Sequence, residues 1–244
     1  MRALLKLAVT ETKLLLREPG WVFTVGIPLF VLVVFGVIPG DAPGAAAGGP
    51  SGRELLVSTT LAVNLGLVAL HMVPTTLAGY REKGILRRLS TTPLHPAALL
   101  AVQLVLQLVL ALVSAVLLIG VARLAFGVAL PARLPALLGV FTLGASAMFA
   151  IGLLIAAVAP TGQLANGIGV LLYFPSAFLA GLMLPKALMP TPLARAGELT
   201  PLGALRQSLQ DVWHGAGPDP LLLAIMAGCA VVVAVAAARW FRWE

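Results

Sequence analysis

The sequence predicts an all-α integral membrane protein with six transmembrane helices in a single transmembrane domain spanning residues 1–244. Three observations predict it. Hydrophobic residues make up 60% of the chain and charged residues only 10%, with a mean hydropathy of +1.03. A soluble domain of that composition would leave large apolar patches facing water. Apolar stretches of roughly 18 residues or more recur, the length a helix needs to cross a bilayer. The basic residues gather in alternate connectors, as membrane topology demands.

Residues 2–18 carry Arg2, Lys6, Lys13 and Arg17 as a basic stripe beside Leu4, Leu5, Leu7 and Leu14–Leu16. This is the pattern of an amphipathic helix lying in the membrane interface. Pro19-Gly20 breaks it, and Trp21 stands where an interfacial aromatic belongs. The spans are expected at about 21–38, 55–78, 97–121, 136–159, 163–184 and 221–238. The first could imitate a signal peptide with Ala45–Ala47 as its cleavage site, but its apolar core exceeds the ~7–15 residues of a signal. Between spans two and three, residues 79–96 read GYREKGILRRLSTTPLHP. Arg81, Lys83, Arg87 and Arg88 lie beside helically spaced Ile85, Leu86 and Leu89, and Pro93 ends the run. This is a candidate docking surface, although a basic loop also serves simply as a topology signal. Residues 185–220 form the longest non-spanning segment, with an amphipathic patch at Leu202–Trp213.

Six spans place both termini on one side. Ten basic residues share that side with the 79–96 connector, against six on the other. The termini and the connector are therefore expected in the cytoplasm. Topology accounts for the net charge of +7, so nucleic acid is not an expected partner; membrane lipid is. Arginine outnumbers lysine twelve to four amid heavy Ala, Leu, Gly and Pro use, a composition expected of a GC-rich bacterium and hence of a bacterial plasma membrane.

No Gly-x-x-x-x-Gly-Lys-Ser/Thr phosphate loop occurs, and none of the four lysines follows a glycine. The chain is expected to bind no cofactor, to hold no metal and to have no catalytic residues. The expected spans contain no acidic residue for a proton relay. They do contain polar stripes: Thr60, Asn64, His71 and Thr75 on one face of the second; Gln103, Gln107 and Ser114 in the third; Thr142 and Ser146 in the fourth; Asn166 and Tyr173 in the fifth. Such groups either hydrogen-bond between helices or line a substrate path. His71 is a satisfied packing histidine or a titrating switch. Phe149, Tyr173, Phe174, Phe178 and Met183 offer adaptable apolar contact, or simply pack or face lipid. Asn64 and His71 with Gly144-Ala145-Ser146-Ala147 loosely match a rhomboid-like intramembrane protease, but the expected sixth span lacks the histidine base that chemistry requires.

Three regions in order carry a family resemblance. Arg17-Glu18-Pro19 followed by Pro28 leads the first span. Arg81-Glu82-Lys83-Gly84-Ile85-Leu86-Arg87-Arg88-Leu89 with Thr92-Pro93 follows the second. Phe174–Pro190, then Leu199-Thr200-Pro201-Leu202 and Leu205-Arg206, cover the end. The sequence resembles the membrane (permease) subunit of type-2 ATP-binding-cassette (ABC) exporters, a class that moves drugs, lipids and polysaccharide precursors. It departs at Ile85, where the family often has Thr, at Ala180, where Ser is common, and at Thr191-Pro192, which replaces an acidic-aromatic pair.

The resemblance implies a half-transporter. Two permease chains, identical or not, would pair around a path for an amphipathic or hydrophobic substrate, a drug or a lipid or glycolipid. Two copies of a separate ATPase subunit would carry ATP and Mg. Arg81, Glu82, Lys83, Gly84, Leu86, Arg87, Arg88, Leu89 and Pro93 would form the coupling helix, with Leu86 and Leu89 in an ATPase groove and Glu82 meeting a basic group there or within the chain. Residues 185–220 would form an external helical segment. The competing reading is an ATP-independent channel, secondary carrier or scaffold.

Overall fold

The computed structural model describes residues 2–37, 52–85, 96–131, 133–184 and 188–240. Its regular elements are all helices: α1 (Arg2–Arg17), α2 (Gly20–Val37), α3 (Gly52–Leu67), a π-helical turn (Val68–Met72), α4 (Val73–Glu82), α5 (Pro96–Phe126), α6 (Leu134–Val158), α7 (Gly162–Leu179), α8 (Thr191–Glu198), α9 (Pro201–Trp213) and α10 (Pro220–Trp240). No strand occurs among the described residues.

Among the described residues, five helices are long and apolar enough to cross a membrane: Gly20–Val37, Gly52–Glu82, Ala98–Phe126, Leu134–Val158 and Pro220–Trp240. They match five of the six expected spans. The remaining one, expected over 163–184, is α7, which stops at Leu179. It is 18 residues long, about 27 Å at the α-helical rise, and Gln163 and Asn166 dilute its apolar character. It stops early because Gly181 takes φ +76 and the Leu182 N–H turns back to the Ala177 carbonyl at 2.9 Å.

The helix Gly52–Glu82 is the axle of the molecule. In its apolar window 78% of residues are buried, against 22% for Gly20–Val37, 28% for Ala98–Phe126 and 17% for Pro220–Trp240. The outer three therefore present apolar faces to their surroundings, whereas the axle packs against α2, α5, α6, α7 and α9. Helix α10 lies along α6, and α9 fills the space between α3, α6 and α10. Leu61, Leu65, Leu70, Leu77, Met148, Leu205 and Leu209 form the fully buried centre.

The π-helical turn has a cause in the sequence. Pro74 has no N–H to give the Leu70 carbonyl, and its ring crowds that oxygen. The chain relaxes by widening one turn, and the Val73 N–H bonds the Val68 carbonyl instead. The displaced carbonyls need room, and two glycines supply it. A Cβ on Gly152 of α6 would overlap the Ala69 oxygen, and one on Gly169 of α7 would overlap the Leu70 oxygen.

Candidate functional site

Two places hold polar chemistry: the end of the molecule where α4 meets the α6–α7 turn, and a cleft beside the π-helical turn. At the first, the Arg81 guanidinium donates to the Ala157 carbonyl at 2.9 Å and also to the Ala159 carbonyl. The last carbonyls of α6 lack intrahelical donors, so a cation suits them. Next to it, Glu82 Oε2 accepts from the Gly162 N–H at 2.9 Å, at the start of α7, where unpaired N–H groups suit an anion. The two charges thus clamp the Pro160-Thr161-Gly162 turn from both sides. Lys83 is exposed, and Gly84 takes φ +65 beyond the end of α4. Leu86, Arg87, Arg88, Leu89 and Pro93 lie outside the described residues.

Around Tyr80, the residue before Arg81, a buried cluster ties α1 to the same end. The Tyr80 hydroxyl donates to Glu11 Oε2 at 2.5 Å, and Gln103 Nε2 donates to the same oxygen and to the Tyr80 hydroxyl, the latter at 3.0 Å. Glu11 is only 6% exposed. Around this cluster pack Leu7, Ile85, Leu99, Leu100 and Ala157. The sequence reading passed over Glu11 and Tyr80. The available signal was an acid on the leucine face of α1, four residues after Leu7 and three before Leu14.

The polar stripes divide between two roles. Thr60, Asn64, Gln103 and Gln107 are buried. Asn64 Nδ2 donates to the Ala111 carbonyl at 3.1 Å and its Oδ1 accepts from Ser114 at 2.8 Å, clamping α3 to α5. Thr60 bonds the Val57 carbonyl at 2.9 Å, and Thr75 the His71 carbonyl at 2.6 Å, each within its own helix. Both amide atoms of Gln107 are buried without a partner among the described residues. Ser146 is exposed and donates to the Thr142 carbonyl at 2.9 Å. The protease arrangement is not assembled among the described residues: His71 pairs with Asn166, and His214 with Glu54 and the Gln210 carbonyl.

His71 and Tyr173 instead line a cleft of about 570 Å³ between α2, the axle helix and α7, a volume within the range of small-molecule sites. His71 Nδ1 lies 2.6 Å from Asn166 Oδ1, joining the axle to α7. The Tyr173 ring fills the space that a Cβ on Gly66 would occupy and meets Phe174 edge-on, with centroids 5.7 Å apart. Phe23, Phe35, Phe174 and Met183 complete much of an apolar wall.

Above the cleft, Arg206 of α9 is 7% exposed. It donates to the Ala180 carbonyl at 3.1 Å and to Thr59 Oγ1, a cleft-lining atom, at 3.3 Å. Burial pulls the pKa of Arg206 below its ordinary value, and Glu198 opposes the shift. At the same end, Arg53 donates to the Phe126 carbonyl at 3.1 Å and Trp213 to the Ala129 carbonyl at 3.1 Å.

Comparison with protein families matches residues 2–211 to the ABC-2 type transporter membrane family. Comparison with curated proteins finds no match. The match takes in α1 through most of α9, including the axle helix, the clamp at its end and the cleft beside it. The chain belongs to the ABC-2 type transporter family and is a membrane permease component of an ABC transporter.

Proposed function

We propose that this permease exports an amphipathic or hydrophobic substrate, a drug or a lipid or glycolipid, from a bacterial cell. It would work as a pair of permease chains on two copies of an ATPase subunit that bind ATP and Mg. In this reading the chain forms one transmembrane domain of six spans, with α7 as the fifth. Both termini and residues 79–96 are cytoplasmic, α1 lies in the membrane interface, and α8 and α9 face outward. Residues 81–93 receive the ATPase: Leu86 and Leu89 seat in its groove, and Lys83, Arg87 and Arg88 meet its acidic groups.

The observation that carries this reading is the clamp made by Arg81 and Glu82. It joins the start of the docking stretch to the turn that leads into α7, and α7 is a wall of the cleft. In this reading a push on residues 84–95 passes to the cleft through these side-chain-to-backbone hydrogen bonds. The test is the double charge reversal R87E/R88E in the permease–ATPase complex in proteoliposomes. Loss of ATPase assembly or of stimulated hydrolysis is expected. Unchanged assembly and stimulation overturn the docking role.

A further inference from the structure

The cleft wall has an unusual balance of polar chemistry. Among the described residues it contains no Asp, Glu, Lys or Arg. An ionised head group entering it would lose its hydration without meeting a counter-charge on the described lining residues. Of the polar side chains among the described wall residues, two threonines are already engaged, and Tyr173 carries a further hydroxyl. Thr24 donates to the Gly20 carbonyl at 3.0 Å, and Thr59 accepts from Arg206 at 3.3 Å.

His71 is different. Asn166 Oδ1 can only accept, so the 2.6 Å contact places the imidazole proton on Nδ1. Nε2 is then a bare acceptor, and it has no hydrogen bond to a described residue. The arrangement is held from two sides. The π-helical turn that carries His71 is fixed by Pro74, and Asn166 sits less than one turn before Gly169, which lets α7 close on that turn.

We propose that the cleft selects uncharged amphiphiles whose head group donates a hydrogen bond to His71 Nε2, with the apolar body along the phenylalanine wall. A hydroxyl or an amide N–H fits this site; a carboxylate, an ammonium or a head without a donor does not. Asn166 is the positioning residue, because its carbonyl oxygen fixes the tautomer that leaves Nε2 open. The proposal rests on the reading of the cleft as the substrate path and deepens it to a substrate class.

The test uses the full chain in lipid nanodiscs, without ATPase or nucleotide, and a photoreactive diazirine monoacylglycerol whose crosslinks are mapped by mass spectrometry. Unlabelled 1-monoolein, methyl oleate, oleate and oleylamine compete. Crosslinks are expected in α2, the axle helix and α7, with monoolein effective at about tenfold lower concentration than the other three. H71L should bring monoolein to the level of methyl oleate while methyl oleate still competes, which shows the cleft intact; H71Q, which keeps an acceptor, should retain most of the preference. N166L should erode the preference as well, by freeing the tautomer.

Equal competition by oleate or oleylamine overturns the proposal, as does a tenfold preference that survives H71L. Crosslinks outside the cleft overturn it too. Because no ATPase is present, this result is separate from the transporter reading. Failure here with a working permease–ATPase complex removes only the head-group assignment.

Discussion

Single residues set how tightly this permease can close. Gly169 and Gly152 take the carbonyls that Pro74 displaces from the axle helix. Even a methyl group at 169 would overlap the Leu70 oxygen, so G169A forces α7 away from the axle. Overpacking of this kind costs about 1–3 kcal/mol. The expected result is a thermal midpoint several degrees below wild type in detergent. G167A, on a neighbouring turn with nothing within 4 Å of the added Cβ, should leave it unchanged. Glu11 gives a second case. E11L leaves the Tyr80 hydroxyl without its acceptor and the Gln103 amide with only the Tyr80 oxygen, at about 1–3 kcal/mol for the stranded hydroxyl. E11Q keeps an acceptor and should cost less. Limited proteolysis of α1 checks both, with E11L cut faster than E11Q.

At the scale of elements, the clamp between α4 and the α6–α7 turn is the proposed coupling route. R81A removes the donor to two carbonyls at the end of α6 and leaves Glu82 to hold the turn alone. In the permease–ATPase complex, assembly should persist while substrate-stimulated hydrolysis falls by about tenfold or more, an effect of order one lost charge-assisted bond. Stimulation equal to wild type would place the coupling route elsewhere. The helices themselves were largely legible in the sequence, because runs of apolar residues as long as Ala98–Phe126 have few other solutions. The clamp was not. Arg81 and Glu82 sit among other charges in a basic connector, and their partners are backbone atoms 76 to 80 residues away. The extent of α7 was legible in principle, since Ala180-Gly181 is an ordinary helix stop. The apolar residues beyond it masked that signal. The π-helical turn left only Pro74 as a trace, and the pairing of His71 with Asn166 depends on contact between elements 95 residues apart.

At the scale of the whole molecule, polar groups are distributed by depth. Asn64 and Ser114 hold the buried centre together and Thr60 is satisfied within its own helix, whereas His71 and Tyr173 face the cleft. Among the described residues, Arg81, Glu82 and Glu11 bind at one end and Arg206, Arg53 and Glu54 at the other. That arrangement suits a body that is pushed at one end and opens a neutral apolar path in the middle. Its central claim is that the energy arrives from another chain. The most direct measurement is affinity purification of the full chain from its native membranes, followed by assay of ATP hydrolysis with and without the proteins that accompany it. The account predicts a partner bearing a Gly-x-x-x-x-Gly-Lys-Ser/Thr loop and vanadate-sensitive hydrolysis that disappears when that partner is removed. Transport by the purified chain alone, without ATP and with no such partner, would contradict it.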